Sequence, residues 1–354
     1  GTVCLVGEGP TRVLLHARGL EGSPLAFELL GLKSPDYAVF DIAEPDFEPV
    51  DMFCGDVYAD DLGTPDLGIV LASPDSGWGH ARYWAGGREG ADGWEVETPN
   101  LLNWHDGTEW SRPTLAAAGH LDDDCVDATG PCEQWEDLVL IGVDPADGTP
   151  GMYIQHHHTF AGDRLRSAVP QELPPGIASV ERLLTLKVNH DELDDVVLVV
   201  SPEDATGSAQ HAILVFTTRR QASDVSRSNL SFRQRIDIPD PLDEHRPERV
   251  EAADVDGDGD DELLLAFDFS GLFIVPCFGE LGDDATPYAP ASEGGNNWTQ
   301  LPAYWGDNLV AAADVDQDGL LDLVMVNSPE SMINDLTLRV ARGTGRLEAC
   351  LLYT

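Results

Sequence analysis

Ala252-Ala-Asp-Val-Asp-Gly-Asp-Gly-Asp-Asp-Glu-Leu-Leu-Leu-Ala266 and Ala312-Ala-Asp-Val-Asp-Gln-Asp-Gly-Leu-Leu-Asp-Leu-Val-Met-Val326 are two copies of one pattern. Counting from Asp254 and Asp314, acids recur at positions 1, 3, 5 and 9. Gly259 and Gly319 hold position 6, where the chain must turn sharply. Calcium takes about six to eight hard oxygen ligands in a tolerant geometry, whereas magnesium demands a tighter octahedron. Asp254, Asp256, Asp258 and Glu262, with the carbonyl of Asp260, offer most of a calcium shell. Asp314, Asp316, Asp318 and Asp322, with the carbonyl of Leu320, offer a second. A helix–loop–helix calcium motif starts the same way, but it needs a glutamate at position 12 and flanking helices. Here small residues precede each loop and an apolar run follows it, which reads as strand, acidic turn, strand.

Working outward, the same grammar recurs three more times in weaker form. Leu186-Lys-Val-Asn-His-Asp-Glu-Leu-Asp-Asp-Val-Val-Leu-Val-Val200 is one copy. Another begins at Gly119-His-Leu-Asp-Asp-Asp124, is interrupted by a cysteine-bearing stretch, and resumes at Glu136-Asp-Leu-Val-Leu140. The last is Gly55-Asp-Val-Tyr-Ala-Asp-Asp-Leu-Gly-Thr-Pro-Asp-Leu-Gly-Ile-Val70. Loops therefore start at 56, 120, 187, 254 and 314, at spacings of 64, 67, 67 and 60. Each period holds about four short strand-like runs broken by Gly, Pro and Asp; in the final one they are 308–313, 321–326, 336–341 and 347–353. A sheet so small cannot bury its own faces and must stack on its neighbours, which is the pattern of a β-propeller blade. The expected fold is all-β. It is a single propeller domain over 1–354 with about six four-stranded blades, at 1–48, 49–113, 114–180, 181–247, 248–307 and 308–354. Ahead of residue 54, the runs 3–6, 12–16 and 25–30 supply only strands two to four of a first blade. Either the sequence begins part-way through a longer ring, of seven blades, or 347–353 crosses over to complete the first blade and brings Cys350 near Cys4.

The pattern resembles the FG-GAP or VCBS repeat family of calcium-loop propellers, best known from the integrin α-subunit head. The resemblance covers most of the chain in period and strand pattern, and two of the five loops match the metal motif in full. It implies that each acidic loop joins the innermost strand of a blade to the second, with the carboxylates above as ligands. Glu262 departs from the usual aspartate at position 9 but still offers two oxygens.

The degenerate loops depart further. Lys187 stands at position 1 of its loop, followed by Asn189, Asp191 and Asp195; an ammonium pairing with these groups replaces the ion, so no calcium is expected there. His120 is a poor calcium ligand at position 1, although Asp122, Asp124 and Asp137 remain. In the first repeat Asp56, Asp60 and Asp66 remain, with Tyr58 at position 3 and two extra residues before Asp66. Both of these are candidate calcium sites. The expected role of the ions is structural, since each clamps carboxylates that otherwise repel one another.

Sixty-four acids against 20 basic residues give a formal charge of −44, and only Lys33 and Lys187 are lysines. Such a surface repels phosphate backbones and anionic lipid, so nucleic acid and membrane surfaces are poor partners. A hydrophobic content of 42 % suffices for a core, and no apolar run approaches the ~20 residues of a membrane helix. Gly1-Thr2 opens the chain with no basic segment running into an apolar one, so a secretory leader is either absent or already removed. Cys125 and Cys132 flank Val126-Asp-Ala-Thr-Gly-Pro131, a turn-rich stretch that reads as a short disulfide-pinned loop. That pairing points to an oxidising, extracellular or cell-surface location, with the periplasm as the other compartment. Cys4, Cys54, Cys277 and Cys350 allow three pairings, and the sequence does not choose among them.

Five of the eight tryptophans, Trp78, Trp84, Trp94, Trp104 and Trp110, fall within one repeat. Trp78 and His80 are expected on the turn between second and third strands, and Trp104, His105 and Trp110 on the link to the next blade. Exposed aromatics there stack on sugars or anchor a protein loop; the plainer reading is that they cap the interior of a long linker. Gln155-His-His-His-Thr159 reads as exposed strand, because adjacent strand residues face opposite ways and three in a row share one ion poorly. Asp224-Val-Ser-Arg-Ser228 fits an adhesion-site metal pattern but lacks the buried strand that should precede it. No nucleophile elbow and no phosphate loop is present. The expected function is a non-catalytic, monomeric recognition or adhesion module for a protein or glycan, with calcium as scaffold. The alternative is a polysaccharide-acting enzyme on the same scaffold.

Overall fold

The computed structural model describes residues 3–6, 13–18, 25–31, 39–42, 48–55, 66–73, 79–84, 88–90, 93–95, 100–102, 112–122, 136–144, 147–156, 169–189, 191, 193–203, 211–218, 230–238, 247, 249–267, 271–278, 286–290, 298–301, 307–313, 321–327, 337–342 and 351–353. All regular structure among them is β. Six four-stranded antiparallel sheets follow one another along the chain. The first holds β1 (Val3–Val6), β2 (Val13–Arg18), β3 (Leu25–Gly31) and β4 (Val39–Ile42). The second holds β5 (Glu48–Gly55), β6 (Asp66–Ala72), β7 (Gly79–Trp84) and β10 (Asn100–Leu102), with a separate hairpin of β8 (Arg88–Gly90) and β9 (Gly93–Glu95). The third is β11 (Arg112–Gly119), β12 (Asp137–Val143), β13 (Pro150–Gln155) and β14 (Val169–Gln171). The fourth is β15 (Ile177–Leu186), β16 (Asp195–Pro202), β17 (Ala212–Thr218) and β18 (Leu230–Asp237). The fifth is β19 (Arg249–Ala253), β20 (Glu262–Phe267), β21 (Gly271–Val275) and β22 (Thr299–Leu301). The sixth is β23 (Asp307–Ala313), β24 (Asp322–Asn327), β25 (Thr337–Arg342) and β26 (Leu351–Tyr353).

Two expectations about the ends are corrected. The first sheet does not lack a strand: the short run Val39–Ile42 pairs with β3 as its fourth. The C-terminal strand does not cross over either, because Leu351–Tyr353 pairs with β25 in its own sheet.

The chain divides into two compact units, one of residues 1–175 and 218–229, the other of 176–217 and 230–354. Within the first, β5 lies beside both β1 and β11; within the second, β19 lies beside both β15 and β23. The leading strands of successive sheets are thus neighbours in each unit. In the first unit the Ala116 amide donates to Asp51 Oδ2 at 2.9 Å, tying β11 to β5. Gly55 ends β5 where a Cβ would collide with Glu136 and Ala118, so glycine lets the sheets close up there.

The strand β20 shows why the sheets stack. Its run Leu263-Leu-Leu-Ala-Phe267 is apolar at every position because both faces are covered. Leu263, Leu265 and Phe267 pack with Val197, Val199, Ile213 and Val215 of the fourth sheet. Leu264 and Ala266 face the other way, against Leu323 of the sixth. Phe267, Phe273 and Trp298 extend the first of these cores through edge-on ring contacts. In the first unit a smaller core joins Phe53 and Val70 to Ala116, Leu138 and Leu140.

Candidate metal centre

One register organises all five acidic loops. Gly55 pairs with Asp66, Gly119 with Asp137, Leu186 with Asp195, Ala253 with Glu262 and Ala313 with Asp322. Every loop therefore joins the first strand of its sheet to the second, and the position-9 acid is the first residue of that second strand. In the three loops whose side chains are described, this acid turns back to accept the amide of position 2. Asp137 Oδ2 takes Leu121 N at 3.1 Å, Asp195 Oδ2 takes Val188 N at 3.2 Å, and Glu262 Oε2 takes Val255 N at 2.9 Å.

The loop 254–261 is wound tightly on its own carboxylates. Asp254 Oδ1 accepts the amides of Gly257 (2.7 Å) and Asp258 (3.1 Å), and its Oδ2 accepts that of Gly259 (3.0 Å). Asp256 Oδ1 accepts the Asp258 amide at 3.3 Å, and Asp258 Oδ1 the Asp260 amide at 3.0 Å. Gly257 and Gly259 have φ of 80° and 100°, a backbone region that favours glycine. The winding brings carboxylate oxygens of Asp254, Asp256 and Glu262 within 4.8 Å of one another. Asp258 stays on the loop beside Asp256, and Asp260 and Glu262 are fully buried. Glu262 Oε1 is buried without a hydrogen-bond partner. Its carboxyl is pushed up to about 8, first by burial and then by the charges of Asp256 and Asp258, against the amides of Val255 and Cys277. Burial, helped by Asp258 and Asp254, also raises Asp256. Asp261 is raised mainly by burial. These acids fit a hard divalent cation, because an oxygen buried without a donor and carboxylates that resist ionising are both relieved by one.

The other loops are built differently. In 187–194, Asn189 Oδ1 accepts the Asp191 amide at 2.8 Å and Asp191 Oδ1 the Leu193 amide at 3.0 Å. The loop is held by side chain–backbone bonds. Lys187 is exposed, its amide donates to Asp261 Oδ2 at 2.8 Å, and its charge lowers Asp261. The ammonium expected to serve its own loop bears on an acid of the next one. In the third sheet His120 Nε2 lies 4.0 Å from Glu136 Oε1. There the structure adds a residue that sequence reasoning missed. His156, expected on exposed strand, is 2 % exposed, and Gln155 before it is 3 % exposed. His156 Nδ1 sits 3.1 Å from Asp122 Oδ2 and 3.3 Å from Asp137 Oδ2. Burial opposes charge on the ring, but the two carboxylates outweigh it and lift the imidazole to about 10. The signal was a register: Leu138 pairs with Gln155, so the next step sets His156 opposite Asp137.

Of the remaining predicted residues, Asp322 is buried at the head of β24, and Asp66 opens β6. Asp314, Asp316, Asp318, Leu320, Asp56, Asp60 and Asp124 lie outside the described residues, as do Trp78, Trp104, His105, Trp110, Cys125 and Cys132. His80 falls within β7, paired with Leu71, and not on a turn. Cys277 is a buried thiol whose Sγ donates to the Val188 carbonyl at 3.3 Å. Fold and site together define an all-β protein of stacked four-stranded sheets with acidic hairpins at corresponding places. No protein-family model matches the chain, and no curated protein matches it either.

Proposed function

We propose that the chain is a calcium-stabilised β-propeller of the FG-GAP or VCBS type. On this reading it is a non-catalytic, extracellular recognition module for a protein or glycan, and calcium is structural. The observation that carries it is the loop 254–262, where three carboxylates converge and the buried Glu262 Oε1 has no hydrogen-bond donor. Five hairpins in one register support it, as does the apposition of leading strands in each unit. Asp254, Asp256, Asp258 and Glu262 would hold the ion, with the carbonyl of Asp260. Asp314, Asp316, Asp318 and Asp322, with Leu320, would form the second site of the same kind. Bound calcium neutralises the acids and turns binding energy into folding stability.

The test is thermal unfolding of the full chain in calcium and in excess EGTA, with calorimetric titration of the chelated protein. Calcium at about a hundredfold its Kd adds about 2.7 kcal/mol. At roughly 2–4 °C per kcal/mol for a compact unit the size of the one holding this loop, that is a rise of about 5–10 °C in its transition. Identical melting curves in calcium and EGTA overturn the reading.

A further inference from the structure

We propose that Asp122, Asp137 and His156 form a second kind of cation site, one for a divalent transition-metal ion of the zinc class. It shares no residue with the loop 254–262 and does not rest on the calcium reading. The three ligands come from three places in the third sheet. Asp122 is on the hairpin after β11, Asp137 is the first residue of β12, and His156 follows the last residue of β13. Their ligand atoms all lie within 4.8 Å of one another. The side chains of His156 and Asp137 are 3 % and 1 % exposed, and that of Asp122 is 16 % exposed.

Two of the three separations are those of ligands around a shared point. The Nδ1–oxygen separations of 3.1 and 3.3 Å match the edge of a tetrahedron whose centre is ~2.0 Å from each ligand, about 3.3 Å. They equally match the edge of an octahedron at ~2.2 Å, about 3.1 Å. Nδ1 makes no well-formed hydrogen bond to either carboxylate despite the short distances. The buried nitrogen is aimed between two anionic oxygens, an arrangement that a cation in the gap relieves. Its donor set excludes calcium as the preferred guest, because calcium takes all-oxygen shells and imidazole suits zinc and its neighbours. The Leu121 amide on Asp137 Oδ2 fixes that carboxylate from behind, as outer-shell donors do at metal sites. Three ligands are present among the described residues, and zinc sites with three protein ligands keep a position for water.

Cobalt(II) is the direct probe, since ligand fields of low symmetry with a nitrogen donor give it a strong visible absorption. The full chain is stripped with chelator, desalted, and titrated with cobalt in the presence of calcium. An absorption that saturates at one equivalent and is displaced by zinc is expected. His156→Gln should abolish it and weaken zinc binding roughly 100-fold or more, while the calcium-dependent melting shift persists. Asp122→Asn, at a half-buried position, gives the same result if His156→Gln fails to fold. Two outcomes overturn the proposal. One is a cobalt spectrum that is purely that of oxygen ligands, or one that His156→Gln leaves unchanged. The other is an imidazole nitrogen resonance of His156 that stays fully protonated at neutral pH in excess zinc. In that case the ring is itself the cation of the third loop.

Discussion

The hairpins at 254–262 and 120–137 close in the same way and differ in what opposes their acids. In both, the position-9 carboxylate opens the second strand and accepts the position-2 amide. Across the sheet from that acid, one register step beyond Leu263–Val275, the fifth sheet carries Pro276, which offers neither charge nor donor. One step beyond Leu138–Gln155, the third sheet carries His156. The hairpin 187–195 repeats the same closure with amides on Asn189 and Asp191. Closure of the backbone therefore does not depend on how many acids the loop holds. What varies is the residue that faces the acid: an imidazole in one sheet, a proline in the other.

The largest effect expected from this contrast is at Asp137. Asp137→Asn removes the charge from a buried group in contact with His156, and breaking such a pair costs about 3–5 kcal/mol. Urea unfolding in chelator measures it, and a loss below about 1 kcal/mol would remove the distinction between the two hairpins.

The equivalent change in the other hairpin should have the opposite sensitivity. Glu262→Gln keeps an oxygen for the Val255 amide and takes away a carboxyl already pushed up to about 8. In EGTA near neutral pH the variant should be no less stable than the wild type, because the amide mimics the protonated acid that the folded chain prefers. In calcium the variant should lose most of the roughly 2.7 kcal/mol that saturating ion supplies. Equal losses in both media would mean that Glu262 is a structural acid like Asp137.

Gly259→Ala should cost about 1–2 kcal/mol in either medium, because φ of 100° disfavours a side chain although no atom stands within 4 Å of the new Cβ. A penalty present only with calcium would show that the loop winds around the ion and unwinds without it.

The first hairpin was more legible than the second for a physical reason. Asp254, Asp256 and Glu262 are local, so their spacing along the chain already fixes their convergence. The apolar run after them marked a strand covered on both faces, as β20 is. His156 comes from the far side of a sheet, and the stretch between Asp122 and Asp137 hid the register that sets it opposite Asp137. Alternation also misled there: it assigns one of two neighbours to solvent, yet stacked sheets bury both Gln155 and His156. Val39–Ile42 went unread as a strand because it is four residues long, with Asp41 in its centre. Nothing local distinguishes such an edge strand from a turn until its partner β3 is in place.

The smallest expected effect is a slope. Glu262 is an acid whose folded-state value, about 8, lies above its ordinary 4.5. Without metal, the folded chain therefore holds this proton more tightly than the unfolded chain. The stability it confers is fully present below the ordinary value and is lost as pH rises through 8. In EGTA, the stability difference between wild type and Glu262→Gln should drift against the wild type across that window. The drift comes first from burial of the carboxyl and then from the charges of Asp256 and Asp258. Calcium should reverse the sign, since the ion binds the ionised form and rewards higher pH. Paired melts at several pH values, with and without calcium, read both slopes. If both drift the same way, Glu262 feels burial alone and no ion, and the contrast with the histidine-bearing hairpin loses its electrostatic basis.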